Sequence, residues 1–174
     1  MKDKPCFHCH ANCCKHYDVF IEHEDVKRLY DIVGDFTFLK KIEYEKSFGY
    51  VPKFNLWEEG VKKKWVICLD NPNRICLFLR KDTCQIYNNR PYICRTYPFI
   101  WDKNRVKETK NLCPVKWKVD DEKREEIKNE YNQLLLNFLT FETICDDWNK
   151  MVTKEDNFEN FLIFVYNHKI YEAN

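Results

Sequence analysis

Four cysteines fall within nine residues near the start of the chain, in the stretch CFHCHANCC. They are Cys6, Cys9, Cys13 and Cys14. In a Cys-x2-Cys pair, two sulfurs from one tight turn can reach the same ion, which is why zinc knuckles and iron–sulfur loops use this spacing. Disulfide formation, metal binding, thiol catalysis and chance composition are the alternatives for such a cluster.

Cys13 and Cys14 are adjacent, and neighbouring side chains usually diverge. We therefore expect their sulfurs to point to different centres, or to different metal atoms of one centre.

Four further cysteines follow far downstream, at Cys76, Cys84, Cys94 and Cys113. Together with the first group they make eight thiolates, enough for two four-thiolate centres or for one cluster plus a zinc ion. Cys145 lies on the apolar stripe of a predicted helix and is interpreted as a small core residue. Cys68 alternates with apolar neighbours like a strand residue, although a role as ligand stays open. His8 and His10 each sit beside a cysteine and are expected to point outward.

The chain has 174 residues, which suggests one domain or one domain with an appendage. Its charge is unevenly spread, because residues 1–119 carry 23 Lys and Arg against 15 Asp and Glu, whereas residues 120–174 carry 6 against 13. Nine of the ten cysteines lie in the basic part. We predict a cysteine-cluster metal-binding domain over 1–119 and a C-terminal helical hairpin over 120–174 packed on it.

No stretch approaches about 18 consecutive apolar residues, so no membrane span is expected. The start, MKDKPCFHCH, lacks the apolar core of a signal peptide, so we expect a cytoplasmic protein with few disulfides. The lysines of VKKKW (61–65) are too few to predict a nucleic-acid partner. A protein partner or substrate stays open, as does enzymatic activity, since the sequence carries none of the nucleotide-binding, phosphate-binding or metalloprotease signatures.

The predicted fold class is α+β, with short strands in an irregular cysteine-rich module braced by two C-terminal helices. A strand at Asp18–Glu22 is followed by a helix at His23–Val33, with Gly34 as its stop. Further strands are expected in KKIEYEK (40–46) and KWVICL (64–69), and a hairpin turns at 102–104. Apolar residues from Ile127 to Val152 recur at spacings of three and four, which predicts a long amphipathic helix. TKED (153–156) has the pattern of a capping box that opens a second helix through about Tyr171.

CFHCHANCC and CLFLRKDTCQIYNNRPYICRTYPF together resemble the YkgJ-type cysteine-cluster family, which is described as chelating zinc or iron. The matching positions are Cys76, Phe78, Leu79, Cys84, Ile86, Tyr87, Arg90, Pro91, Cys94, Arg95, Tyr97, Pro98, Cys113 and Pro114. The resemblance covers residues 6 to about 115 and implies metal binding by the eight cysteines Cys6, Cys9, Cys13, Cys14, Cys76, Cys84, Cys94 and Cys113. The chain departs from the family pattern at His10 and Val115, where glycine is common.

Arg90 and Arg95 bracket Cys94. Their guanidinium groups could stabilise sulfide or thiolate around a metal centre, contact an anionic substrate, or hold a carboxylate of the fold. Tyr87 and Tyr97 are interpreted as packing residues.

All-thiolate sets suit both zinc and iron–sulfur clusters. The single Cys-x2-Cys pair followed by long, uneven spacings favours a [4Fe–4S] cluster over Zn2+. Three functions follow: an iron–sulfur protein with a redox, sulfur-handling or protein-modification role, a zinc-stabilised module that binds protein or RNA, and a protein-lysine N-methyltransferase-like activity. The third rests on the similarity to flagellin lysine N-methylases, which are longer, and no S-adenosylmethionine-binding segment is recognisable here.

Overall fold

The computed structural model describes residues 10–102, 105–109 and 113–168. Over these residues the chain combines helices with short strands, which confirms the α+β class. The helices are α1 (Asn12–His16), α2 (His23–Val33), α3 (Tyr92–Thr96), α4 (Asp121–Met151) and α5 (Phe158–Asn167). No helix in this part of the chain has both the length and the apolar character needed to cross a membrane.

The strands are short and fall into separate small sheets. They are β1 (Leu39–Glu43), β2 (Phe54–Glu58), β3 (Val61–Leu69), β4 (Leu79–Arg80), β5 (Thr83–Cys84), β6 (Phe99–Asp102) and β7 (Arg105–Glu108). One sheet has the order β1-β3-β2, and β4-β5 and β6-β7 are two-stranded antiparallel pairs. Turns of 3₁₀ helix cover Lys46–Phe48, Pro72–Arg74 and Tyr87–Asn89.

The chain separates into two compact units. The first, called the cysteine unit, comprises Met1–Val19 and Leu69–Leu135. The second, called the sheet unit, comprises Phe20–Cys68 and Leu136–Asn174. The predicted domains at 1–119 and 120–174 stay a prediction.

In the cysteine unit, β4 and β5 are joined by a two-residue turn at Lys81 and Asp82. Both residues have positive φ, at 46° and 58°, as the tight turns of β-hairpins require. The pair β6-β7 confirms the predicted hairpin, with Asp102 opposite Arg105.

In the sheet unit, α2 has the predicted bounds and ends at Gly34, whose φ of 91° is the left-handed cap conformation. The strand predicted before it is wrong, because Phe20 forms only an isolated bridge with Cys68. Glu22 instead caps α2, where its carboxylate accepts from the amides of Glu24 and Asp25. His23 is buried, with its ring stacked against that of Phe141.

The core of the sheet unit is aromatic and joins the sheet to the C-terminal helices. Phe54 stacks on Phe161 of α5 with ring centroids 3.7 Å apart, and Trp148 of α4 meets the same ring at 5.3 Å. The predicted stripe on α4 is confirmed in this unit, since Phe141, Cys145 and Trp148 are buried.

β2, one of the two outer strands of the three-stranded sheet, is contacted at its start by side chains from the end of α4. Asn149 accepts from the amide of Asn55 at 2.6 Å and donates to the carbonyl of Lys53 at 3.2 Å. Trp148 donates its indole N–H to the carbonyl of Asn55 at 2.9 Å. These bonds satisfy backbone groups that an outer strand otherwise leaves open.

The predicted capping box at 153–156 is wrong. Thr153 bonds to Asp156 in a turn, with its hydroxyl 2.9 Å from the carboxylate, and α5 begins later. The true cap is Asn157, whose side chain accepts from the amide of Asn160 while the Asn160 side chain accepts from the amide of Asn157. Asparagine serves both roles of the capping box, although its second position usually holds Glu or Gln.

Candidate metal centre

The structure divides the described cysteines between the two units as the sequence patterns suggest. The cysteine unit contains Cys13, Cys14, Cys76, Cys84, Cys94 and Cys113, whereas Cys68 and Cys145, the two outside the motif, lie in the sheet unit and are buried. Cys6 and Cys9 lie outside the described residues. No disulfide joins any of the described cysteines.

A backbone hydrogen bond joins the two cysteine motifs. The amide of Cys76 donates to the carbonyl of Cys14 at 2.8 Å, although 62 positions separate them in the chain. Just before Cys13, His10 and Ala11 turn the chain with φ values of 51° and 54°. His10 and His16 are exposed, so the outward orientation expected for His10 is confirmed.

The adjacent sulfurs of Cys13 and Cys14 lie 3.9 Å apart. The expectation that neighbouring side chains would carry the sulfurs apart is therefore wrong. The hydrogen bond between the two groups is the main cause that lowers the pKa of Cys13 to about 7 and raises the pKa of Cys14. One of the two thiols is thus deprotonated more readily than an ordinary cysteine, and the thiolate is the form that binds metal.

Cys76 is buried and Cys84 is half-buried, and the sulfurs of both lie close to backbone donors. Burial raises the pKa of both. The N–H of Phe78 opposes this at Cys76, and the N–H of Ile86 opposes it at Cys84. Each sulfur thus accepts from the amide two positions later in the chain, a contact that stabilises the charged form of a thiol.

Cys94 and Cys113 come from separate segments. Cys94 lies on α3, where its amide donates to the carbonyl of Pro91 at 2.9 Å. The charge of Cys94 adds to the rise in the pKa of Cys14, so the two thiols are electrostatic neighbours. Cys113 lies in an irregular segment, and the indole Nε1 of Trp117 is 3.4 Å from its sulfur.

Arg90 and Arg95 have different surroundings. The charge of Arg90 acts to lower the pKa of Cys13 and Cys84, and its guanidinium lies 4.0 Å from the ring centroid of Tyr87. Arg95 donates to the carbonyl of Arg90 at 3.0 Å, and its Nη1 lies 3.8 Å from Glu130 Oε2. Arg95 therefore lies beside a carboxylate of the fold, whereas the charge of Arg90 acts on the thiols.

Two residues of the site were missed by the sequence analysis. Arg80, in β4, acts to lower the pKa of Cys76 and is anchored by its bond to the carbonyl of Leu77 at 2.8 Å. Trp117 reaches Cys113 from four positions further along the chain. Arg80 could have been identified from the sequence, because it is a basic residue four positions after Cys76. Trp117 could not, because it lies in a segment without a regular pattern.

In chemical type, the described thiols fit a thiophilic metal. Cys14 interacts electrostatically with Cys13, Cys76 and Cys94, and Cys76 interacts with Cys84, so five thiols form one connected group. Thiolate sets of this kind select zinc and iron–sulfur centres. Within 10–102, 105–109 and 113–168, no three Cys, His, Asp or Glu side chains converge closely enough to hold a metal ion.

Comparison with known proteins gives a family match over the segment that contains these thiols. No solved structure matches the chain significantly. Residues 5–114 match the CxxCxxCC family model, described as a "putative zinc- or iron-chelating domain". The match covers more than half of the chain, includes all eight predicted ligand positions and agrees with the family resemblance read from the sequence. The chain therefore belongs to the CxxCxxCC family.

Proposed function

We propose that the cysteine unit binds a metal ion through its thiols, and that Cys13 and Cys14 bind the same ion. The observation that carries the proposal is the 3.9 Å between their sulfurs. Two thiolates on one tetrahedral zinc, each about 2.3 Å from the metal, lie about 3.8 Å apart. In a [4Fe–4S] cluster held by four cysteines, each iron takes one thiolate, so an adjacent pair at this spacing favours a single ion.

The remaining ligands of that ion would come from the thiols grouped around the pair and from Cys6, Cys9 and Cys113, which also lie in the family-matched segment. Cys76, Cys84 and Cys94 belong to the same electrostatic group as Cys13 and Cys14. The charge of Arg90 beside Cys13 and Cys84 would offset part of the negative charge of a site with four thiolates. When four protein ligands surround zinc, the metal contributes folding energy and has no open position for substrate. The proposed role is therefore that of a zinc-stabilised module. Its binding partner would be a protein.

An iron–sulfur centre is the second candidate, favoured by the donors that face the sulfurs. The amides of Phe78 and Ile86 and the indole of Trp117 point at three different cysteines. Hydrogen bonds to sulfur are among the features that set the reduction potential of such clusters. A redox, sulfur-handling or protein-modification role would follow from this centre.

The test is purification without oxygen, followed by elemental analysis, determination of acid-labile sulfide and a visible spectrum. We expect a colourless protein with zinc at integral stoichiometry and no sulfide. A brown protein with iron, sulfide and broad visible absorbance would favour the second candidate instead.

Two variants test whether Cys13 and Cys14 share the ion. Cys13→Ser and Cys14→Ser should each lower zinc content, and to a similar extent, because each removes one ligand of the same site. A Cys14→Ser protein that retains the full metal content would contradict the shared site.

A further inference from the structure

Trp117 touches the candidate metal centre from outside the family-matched segment, which ends at residue 114. Its Nε1 lies 3.4 Å from Cys113 Sγ. An indole N–H can only donate, so the sulfur of Cys113 is the acceptor in this contact. A metal-bound thiolate has no proton and retains lone pairs, so it satisfies the same geometry without rearrangement.

Aromatic and cationic neighbours hold the indole ring in place. The ring of Phe99, which is buried in β6, meets it edge to face at 5.4 Å and 75°. Nζ of Lys123, in the first turns of α4, lies 5.9 Å from the Trp117 ring centroid. Residues 113–120 have no regular secondary structure, so these side-chain contacts fix the direction of the N–H.

We propose that Trp117 is a positioning residue of the metal centre, whose N–H orients the Cys113 sulfur as a ligand and stabilises it in the bound form. This inference rests on the proposed function, because it assumes that Cys113 binds metal. Partners that hydrogen-bond to metal ligands set the orientation of those ligands, and their loss commonly weakens metal binding by about 10- to 100-fold.

Trp117→Phe tests the role of the N–H, because it keeps an aromatic ring against Phe99 and removes the donor. We expect the zinc-loaded variant to lose metal to a competing chelator about ten-fold faster than the unmodified protein. Trp148→Phe is the matched control, since it also removes an indole N–H donor, here to the carbonyl of Asn55 in the sheet unit. That variant should lose stability and release zinc at the unmodified rate.

A spectrum of the cobalt(II)-substituted protein separates positioning from simple packing. A hydrogen bond lowers the energy of the sulfur lone pair, so its removal should shift the sulfur-to-cobalt charge-transfer band to longer wavelength in Trp117→Phe. Unchanged metal release, or faster release with an unshifted band, would overturn the inference. If the unmodified protein binds neither zinc nor cobalt, the proposed function itself fails, which is a different result.

Discussion

The side-chain amide of Asn137 donates to Glu22 Oε1 at 3.1 Å, and both side chains are buried. Glu22 also accepts from the amides of Glu24 at 2.7 Å and Asp25 at 3.1 Å. The carboxylate therefore caps α2 and ties it to α4 within the sheet unit. A buried charged group depends on each such donor, because water cannot replace a donor that is lost.

Replacement of Asn137 by leucine should destabilise the protein by about 2 kcal/mol, because it removes a donor from a buried carboxylate. Urea unfolding followed by circular dichroism measures the change. Asn132→Leu, at an exposed position of the same helix, is the control and should stay within about 0.5 kcal/mol of the unmodified protein. Equal effects of the two variants would show that the Glu22 contact adds little.

Cys94→Ser and Cys145→Ala should separate ligands from core residues. Cys94→Ser should lower metal content, because Cys94 lies in the thiol group of the cysteine unit. Cys145→Ala should keep the metal and cost about 1–2 kcal/mol of packing energy, since this side chain is 0% exposed within the sheet unit. Elemental analysis of the two purified variants decides the matter, and the reverse pattern would contradict the ligand assignment.

The thiol of Cys145 should also give a measurable pH dependence. Burial raises its pKa well above the ordinary value of 9.0, so the folded state holds this proton more tightly than the unfolded chain does. The resulting stabilisation is fully present below about pH 9 and is lost as the pH rises through the raised pKa. The stability difference between the unmodified protein and Cys145→Ala should therefore shrink between about pH 8 and about pH 10. A difference that stays constant in urea titrations at both values would disprove this.

The start of α5 is tested by a matched pair of alanine variants. Asn157→Ala should cost about 1 kcal/mol, because it removes the side chain that accepts from the amide of Asn160. Thr153→Ala should cost less than about 0.5 kcal/mol, since its bond to Asp156 lies in an exposed turn before the helix. A larger loss of stability for Thr153→Ala than for Asn157→Ala would support the capping box that the sequence pattern predicted at 153–156.

Position 10 should gain stability from glycine. His10 has a φ of 51°, a region in which a side chain costs free energy and glycine does not. His10→Gly should stabilise the protein by up to about 1 kcal/mol, which is the net effect of relieved strain and a more flexible unfolded chain.

Gly34→Ala is the opposite case, because the φ of Gly34 is 91° and nothing lies within 4 Å of an added Cβ. The expected loss of about 1 kcal/mol would therefore come from the backbone alone. Thermal unfolding checks both, and a destabilised His10→Gly protein would contradict the strain argument.

The elements that the sequence predicted well are those whose signals are local. The bounds of α2 and its end at Gly34 follow from apolar periodicity and a terminal glycine. The helical spacing of apolar residues in α4 is visible in the sequence from Ile127 onward. The turn at Lys81 and Asp82 escaped notice because neither residue is the glycine or asparagine that usually marks it. The burial of His23 was missed as well, since it depends on Phe141, a partner far along the chain.

The candidate site was predictable in its list of thiols and less so in its geometry. The spacing of cysteines indicated ligands, and the family match covers all eight of those positions. The spacing of the cysteines could not reveal that Cys13 and Cys14 turn their sulfurs to the same side, because side-chain rotamers depend on the surrounding packing. The metal, the cytoplasmic location and the partner stay predictions.

The side-chain amide of Asn149 occupies the place that a neighbouring strand would take beside β2. It offers the Asn55 amide an acceptor and the Lys53 carbonyl a donor, as a peptide group would. A second molecule that approached this border of the sheet would find those two groups already engaged. The consequence concerns self-association: we expect α4 to prevent another strand from pairing with this part of β2, which removes one route to fibrous aggregates at that border.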